Sequence, residues 1–158
     1  MTAETFNPDT DLMLSRRVDV PREAIWRAWT TPSLVTQWFT PAPWRTLACE
    51  IDLRPGGLFR TVMQSPEGEE FPNAGCILDV VAGRRLVFTD ALGEGFRPNA
   101  ESFFTAIIEL EDDGDGTLYT AYALHKDAAG RQAHEEMGFT EGWGKALDQL
   151  VALVKSLD

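Results

Sequence analysis

Positive charge is scarce in this sequence: 14 lysines and arginines stand against 25 aspartates and glutamates in 158 residues, a net charge of -11. Binding to nucleic acid or to an anionic membrane needs a basic face that displaces counterions, so the charge balance excludes both as partners. The acidity is spread along the chain and serves solubility. Cysteine is nearly absent. Cys49 and Cys76 each sit in an apolar, strand-like run where a free buried thiol is the usual occupant, which excludes a disulfide scaffold and fits a reducing compartment. No apolar run reaches membrane-spanning length. The opening MTAETFNPDTD has no basic region followed by an apolar core, so it lacks the pattern of a signal peptide, and the expected location is the cytoplasm.

Motifs for familiar chemistry are missing too. Gly93-Glu94-Gly95-Phe96-Arg97 is not followed by a helix start, so it is no phosphate loop. Ser15, Ser65, Ser102 and Ser156 have no nucleophile motif around them, and neither cysteine lies beside a histidine. His125 and His134, with Glu135 and Glu136, match no zinc spacing. The acidic run Glu111–Gly116 lacks the later bidentate glutamate of a calcium loop and reads as a solvated hairpin tip. No metal and no cofactor are expected.

What is present is pattern. From Phe139 to Leu157 the apolar residues Phe139, Trp143, Ala146, Leu147, Leu150, Val154 and Leu157 recur at three- and four-residue intervals, with Lys145, Asp148, Gln149 and Lys155 off the stripe; this predicts a long amphipathic helix. Gly142 and Gly144 inside it each cost about 1 kcal/mol relative to alanine, which tertiary contact has to offset. Two explanations stand: close approach of the helix to a sheet, or room for a ligand beside Trp143.

Upstream, Asp11–Val20 reads as a strand with Leu12 and Leu14 opposed to Met13, Ser15 and Arg17. Pro21 opens a short helix carrying Ile25, Trp26 and Trp29, and Thr31-Pro32 starts a second that ends at Trp38-Phe39 before Pro41 and Pro43. From Trp44 the period becomes two, with Leu47, Cys49, Ile51 and Leu53 on the face expected to be buried. Turns at Pro55-Gly56-Gly57, Ser65–Glu69 and Ala82-Gly83 separate strands over 58–64, around Cys76–Val81 and over 84–90, giving an antiparallel meander. The segment Ala91–Ala100 is long enough for a lid or rim. Strands over 103–110 and 117–125 follow, and Asp127 caps a helical start running through His134. Residues 1–10 are expected to be an N-terminal tail and 11–158 a single domain of α+β class, two layers with the sheet curving round the terminal helix.

The last strand has two faces, Leu118/Thr120/Tyr122/Leu124 and Tyr119/Ala121/Ala123/His125, and periodicity does not choose between them. If the second faces inward, its small alanines either leave a ligand pocket or admit Trp143 and Phe139. Asp90 and His125 end strands that run the same way with one between them, so they share a rim about 10 Å apart, too far to bond directly.

The segments VDVPREAIWRAWTTPSLVTQWF, CEIDLRPGGLFRTVM, NAGCILDVVAGRRLVFTDAL and HEEMGFTEGWGKALDQL resemble the SRPBCC (START/Bet v 1-like) superfamily, in its branch related to the activator of Hsp90 ATPase. The resemblance runs from about Leu12 to Leu157. It implies a helix-grip fold, in which a curved antiparallel sheet holds the long C-terminal helix around a hydrophobic cavity, and two short helices follow the first strand. It also implies that Tyr119 and His125 face inward and Tyr122 outward. Members of the superfamily include ligand carriers, cyclase-like enzymes and chaperone activators, and the fold does not choose among them.

The leading expectation is a module, not an enzyme, that binds a small apolar or amphipathic molecule. From the helices and the last strand its wall would draw Trp38, Tyr119, His125, Met137, Phe139 and Trp143. From the meander it would draw Phe59, Met63, Phe88 and Phe104. One alternative is a cyclase- or hydrolase-type enzyme with His125 as general base, assisted through water by Asp90 or Tyr119. Another is partnership with an Hsp90-type chaperone, against which the lack of a basic surface argues.

Overall fold

The computed structural model describes residues 6–157. Strand β1 (Asp11–Val18) is followed by helices α1 (Arg22–Thr30) and α2 (Pro32–Trp38) and then by strands β2 (Arg45–Ile51), β3 (Leu58–Gln64), β4 (Glu70–Val81) and β5 (Arg85–Thr89). A small hairpin of β6 (Leu92–Gly93) and β7 (Arg97–Pro98) precedes β8 (Thr105–Asp113), β9 (Gly116–Leu124), α3 (Ala128–Glu136) and α4 (Phe139–Ser156). Seven strands form one antiparallel sheet in the order β1-β9-β8-β5-β4-β3-β2. The first strand therefore pairs with the last, and the meander carries the sheet away from it towards β2.

Helix α4 forms where its stripe demands. Leu147, Leu150 and Val154 are buried against Leu86, Ile108 and Leu110 of the sheet and Ile25 and Ala28 of α1. Each such aliphatic side chain contributes roughly 1.5–3 kcal/mol on burial, enough to offset the helix's glycines. The sheet wraps this helix in the helix-grip arrangement. Its outer face carries a separate small cluster of Val87, Ile107 and Tyr122, joined by Phe6, Leu78 and Leu124.

Several details depart from the sequence expectations. Pro21 is the residue before α1, not its first turn, while Pro32 does open α2. A bulge between Thr46 and Ala48 re-aims β2, so Leu47, expected inside, is 40% exposed and Thr46 is buried. A second bulge between Ile77 and Asp79 interrupts the strict alternation of β4, leaving Ile77 and Val80 in the main core and Leu78 outside it. The acidic hairpin tip shrinks to Gly114-Asp115, with Gly114 at φ 62°, because pairing continues to Asp113 and Gly116. Leu157 lies just past the end of α4 and is 53% exposed. In Ala91–Ala100, the Gly95 N–H donates to the Gly56 carbonyl at 2.8 Å and Phe96 lies over Gly56, fastening the segment to the turn between β2 and β3.

Residues 1–5 of the expected tail lie outside the described residues. The rest of it forms a turn: the Asn7 N–H donates to Asp11 Oδ2 and the Asp11 N–H to the Asn7 carbonyl, both at 2.8 Å. That turn fixes the position of the Thr10 carbonyl.

Candidate functional site

Between the N-terminal half of α4 and the β3–β4–β5 side of the sheet lies a cavity of about 550 Å³. Alternation on β3 turns Phe59, Thr61 and Met63 to it, and Phe88 reaches it from β5. Helix α4 contributes Phe139, Gly142, Trp143 and Ala146 from successive turns. Gly142 leaves open space on this wall: a Cβ there would meet only Pro41 Cγ, at 3.9 Å.

Aromatic contacts make the floor stiff. The Phe59 and Phe88 rings are 4.5 Å apart edge to face, Trp29 and Trp38 are 4.9 Å apart, and Phe39 joins Trp29 at 5.8 Å and Phe59 at 6.0 Å. Trp38 Nε1 donates to the Ala28 carbonyl at 2.9 Å, and Gln149 Nε2 donates to the carbonyls of Trp38 and Thr40, tying α2 to α4. Trp44 and Phe71, their rings 5.5 Å apart, stand partly exposed on the cavity's edge together with Pro41 and Met137.

Few polar groups reach this wall. Trp29 Nε1 donates to the Tyr119 hydroxyl at 3.1 Å, both residues being buried. Burial raises the Tyr119 pKa well above the ordinary phenol value, so the hydroxyl stays neutral. His134, on α3, forms part of the wall among Phe103, Phe104, Phe139 and Trp143. Burial chiefly, and the neighbouring His125 secondarily, lower the His134 pKa to about 4, so its imidazole is neutral at physiological pH.

Of the residues expected to surround a ligand, Trp38, Phe59, Met63, Phe88 and Phe104 lie on the cavity wall, as do Tyr119, Phe139 and Trp143. Met137 is there too, but at the edge and 73% exposed. His125 is the exception. Its Nε2 lies 2.9 Å from His134 Nδ1 and its Nδ1 lies 2.8 Å from the Thr10 carbonyl, which puts it one ring behind the wall. Asp90, expected on a rim with it, uses its carboxylate to accept the N–H groups of Phe103 and Phe104 and the Ser102 hydroxyl. His125 is not placed to act on a molecule in the cavity as the general base, whereas Asp90 lies on the cavity wall with its carboxylate already engaged by these donors.

Ala121 and Ala123 do not line the cavity. Ala121 lies in the main core, and Ala123 packs with Leu12 and Phe139, with Phe104 and Trp143 beside them. The space under the last strand is filled by aromatic rings, and the cavity opens further along the sheet. The two helix glycines divide between the two explanations. Gly142 borders the cavity, while Gly144 lies under the Arg16 guanidinium, whose Nη2 would be 2.7 Å from an added Cβ.

Sequence reasoning passed over His134, Trp29 and Thr61. Trp29 reads as core by the pattern of α1, and it is both core and wall. His134 carried no signal in its own neighbourhood, since its partners Phe103, Phe104 and His125 come from other elements. Among the described residues no group of three or more histidines, cysteines or carboxylates is placed to hold a metal ion. Both cysteines are free, and burial with Glu50 beside it raises the Cys49 thiol to about pKa 11. No helix of the described residues is long and apolar enough to cross a membrane.

Known structures place this architecture. A crystal structure of a protein from Nitrosomonas europaea is 48% identical, covers 96% of this chain and 97% of its own, and superposes with a TM-score of 0.93. One from Mycobacterium smegmatis is 26% identical, covers 92% and 90%, and has a TM-score of 0.77. A Rhodobacter sphaeroides protein at 21% identity, 97% coverage of both chains and TM-score 0.82 shares the fold. No functionally curated protein matches the sequence significantly. The model of the family described as activator of Hsp90 ATPase homolog 1-like protein matches residues 19–155. The chain therefore belongs to the activator of Hsp90 ATPase homolog 1-like family, within the SRPBCC superfamily, whose helix-grip fold commonly binds hydrophobic ligands.

Proposed function

We propose that the protein binds a small hydrophobic or amphipathic molecule in the cavity between α4 and the sheet. The observation that carries this is the cavity itself: about 550 Å³, walled mainly by aromatic side chains, with only a few polar groups. Ligand sites have this size and this makeup, mostly apolar with sparse orienting groups. An enzymatic role through His125 is disfavoured by its geometry, because His134 and the Thr10 carbonyl engage both of its ring nitrogens and it lies behind the cavity wall. A chaperone partnership rests on the family's description alone.

The test uses Gly142→Leu. A side chain there starts from open space and extends into the cavity, and it replaces a helix glycine at a gain of roughly 0.5–1 kcal/mol. The expected variant is more stable yet weakly binding: N-phenyl-1-naphthylamine, a neutral fluorescent probe, binds the wild type and loses at least about tenfold in affinity, near 1.4 kcal/mol. Native mass spectrometry of freshly purified protein reads the occupant directly. A wild type that binds no probe, or a stabilised Gly142→Leu that binds it unchanged, refutes the proposal.

A further inference from the structure

The cavity wall carries a hydrogen-bond chain whose direction is set at its far end. The Thr10 carbonyl oxygen, 2.8 Å from His125 Nδ1, can only accept, so His125 Nδ1 carries a proton. With one proton per imidazole, His125 Nε2 is bare and accepts from His134 Nδ1 at 2.9 Å. The His134 proton is thereby committed to Nδ1, and its Nε2 is left with a lone pair. The two nitrogens of an imidazole lie on opposite flanks of the ring, so Nε2 is turned away from His125. It has no hydrogen-bond partner among the described residues, and His134 itself forms part of the cavity wall.

This is a hydrogen-bond acceptor set in aromatic surroundings. The ring centroids of Phe103, Phe104 and Phe139 lie 4.7, 5.0 and 5.2 Å from that of His134. Burial keeps the ring neutral, consistent with the one-proton count. A lone pair in such a place repels a carboxylate and does nothing for a plain hydrocarbon. It favours a neutral molecule that brings a proton of its own.

Resting on the cavity as the binding site, we infer that the ligand is a neutral hydroxyl-bearing aromatic, its ring against the cavity's aromatic side chains and its O–H donating to His134 Nε2. His125 and the Thr10 carbonyl act as positioning groups that hold His134 in the accepting tautomer. The cavity's largely apolar wall would bind many compounds; this acceptor favours those that bring a donor.

The test is a matched pair of probes titrated into the whole protein at neutral pH. 2-Naphthol has the donor; 2-methoxynaphthalene keeps the ring and the oxygen but has no proton to give. The wild type should bind 2-naphthol about five- to tenfold more tightly, the worth of one buried hydrogen bond. In His134→Phe that preference should vanish while 2-methoxynaphthalene still binds. Equal wild-type affinities for the two overturn this inference and leave the cavity reading standing; failure of both to bind overturns the two together. A measurement on the wild type alone covers the case in which His134→Phe does not fold. Long-range proton–nitrogen NMR should find His134 Nε2 unprotonated, moving on addition of 2-naphthol and not of 2-methoxynaphthalene. A protonated Nε2 in the free protein refutes the assignment.

Discussion

Replacing Ala123 by leucine tests where the cavity ends. Ala123 is fully buried on β9, flanked in the sheet by Leu12 of β1 and Ala106 of β8 and covered by Phe139, with Phe104 and Trp143 beside it. The added carbons have no empty space to enter, so the rings or the backbone must shift. Overpacking of this kind costs about 1–3 kcal/mol. With a urea slope of roughly 1–3 kcal/mol/M, the unfolding midpoint should fall by on the order of 1 M at unchanged slope. N-phenyl-1-naphthylamine should still bind, because Ala123 itself is not on the cavity wall, with a loss of affinity only to the extent that Phe104, Phe139 and Trp143 are displaced. A midpoint that holds or rises at unchanged slope would mean that a void lies beneath β9, and the boundary drawn here for the cavity would be wrong.

Tyr119→Phe removes the acceptor of a buried indole N–H, so it should destabilise by about 1–3 kcal/mol, and a Trp29→Phe background should erase most of that cost in a double-mutant cycle. The His134 pKa is lowered from 6.5 unfolded to about 4 folded, so the unfolded chain binds more protons between those values and this group's contribution to stability falls as the pH drops from 6.5 to 4. The loss is on the order of 3 kcal/mol and should be missing from the pH–stability curve of His134→Phe; parallel curves for the two proteins would refute the shift. Gly144→Ala should stabilise by up to about 1 kcal/mol: the added Cβ meets only the flexible end of Arg16, and the Arg16–Asp148 ion pair it disturbs is exposed. A fall in melting temperature would show that Arg16 is held more firmly than its exposure implies.

The sequence by itself determined the main elements and their order, though not the short β6–β7 hairpin inside Ala91–Ala100. The 3.6-residue stripe of α4, the prolines around α1 and α2, and the turns between two-residue periods are local signals, and local backbone geometry obeys them. It also marked most of the aromatic side chains that meet around the cavity. It did not determine which of two strand faces is covered. A period of two defines both faces equally, and the choice on β9 fell to Tyr119 over Tyr122 because α4 packs on that side. Nor did it show the bulges that turn Leu47 out and interrupt the alternation of β4, since one extra residue inverts everything beyond it. The exchange of His125 for His134 on the cavity wall was likewise decided in three dimensions. Its cause is a hydrogen-bond chain through Thr10, His125 and His134, groups brought together from the turn before β1, the end of β9 and α3, and only the folded chain puts them within reach of one another.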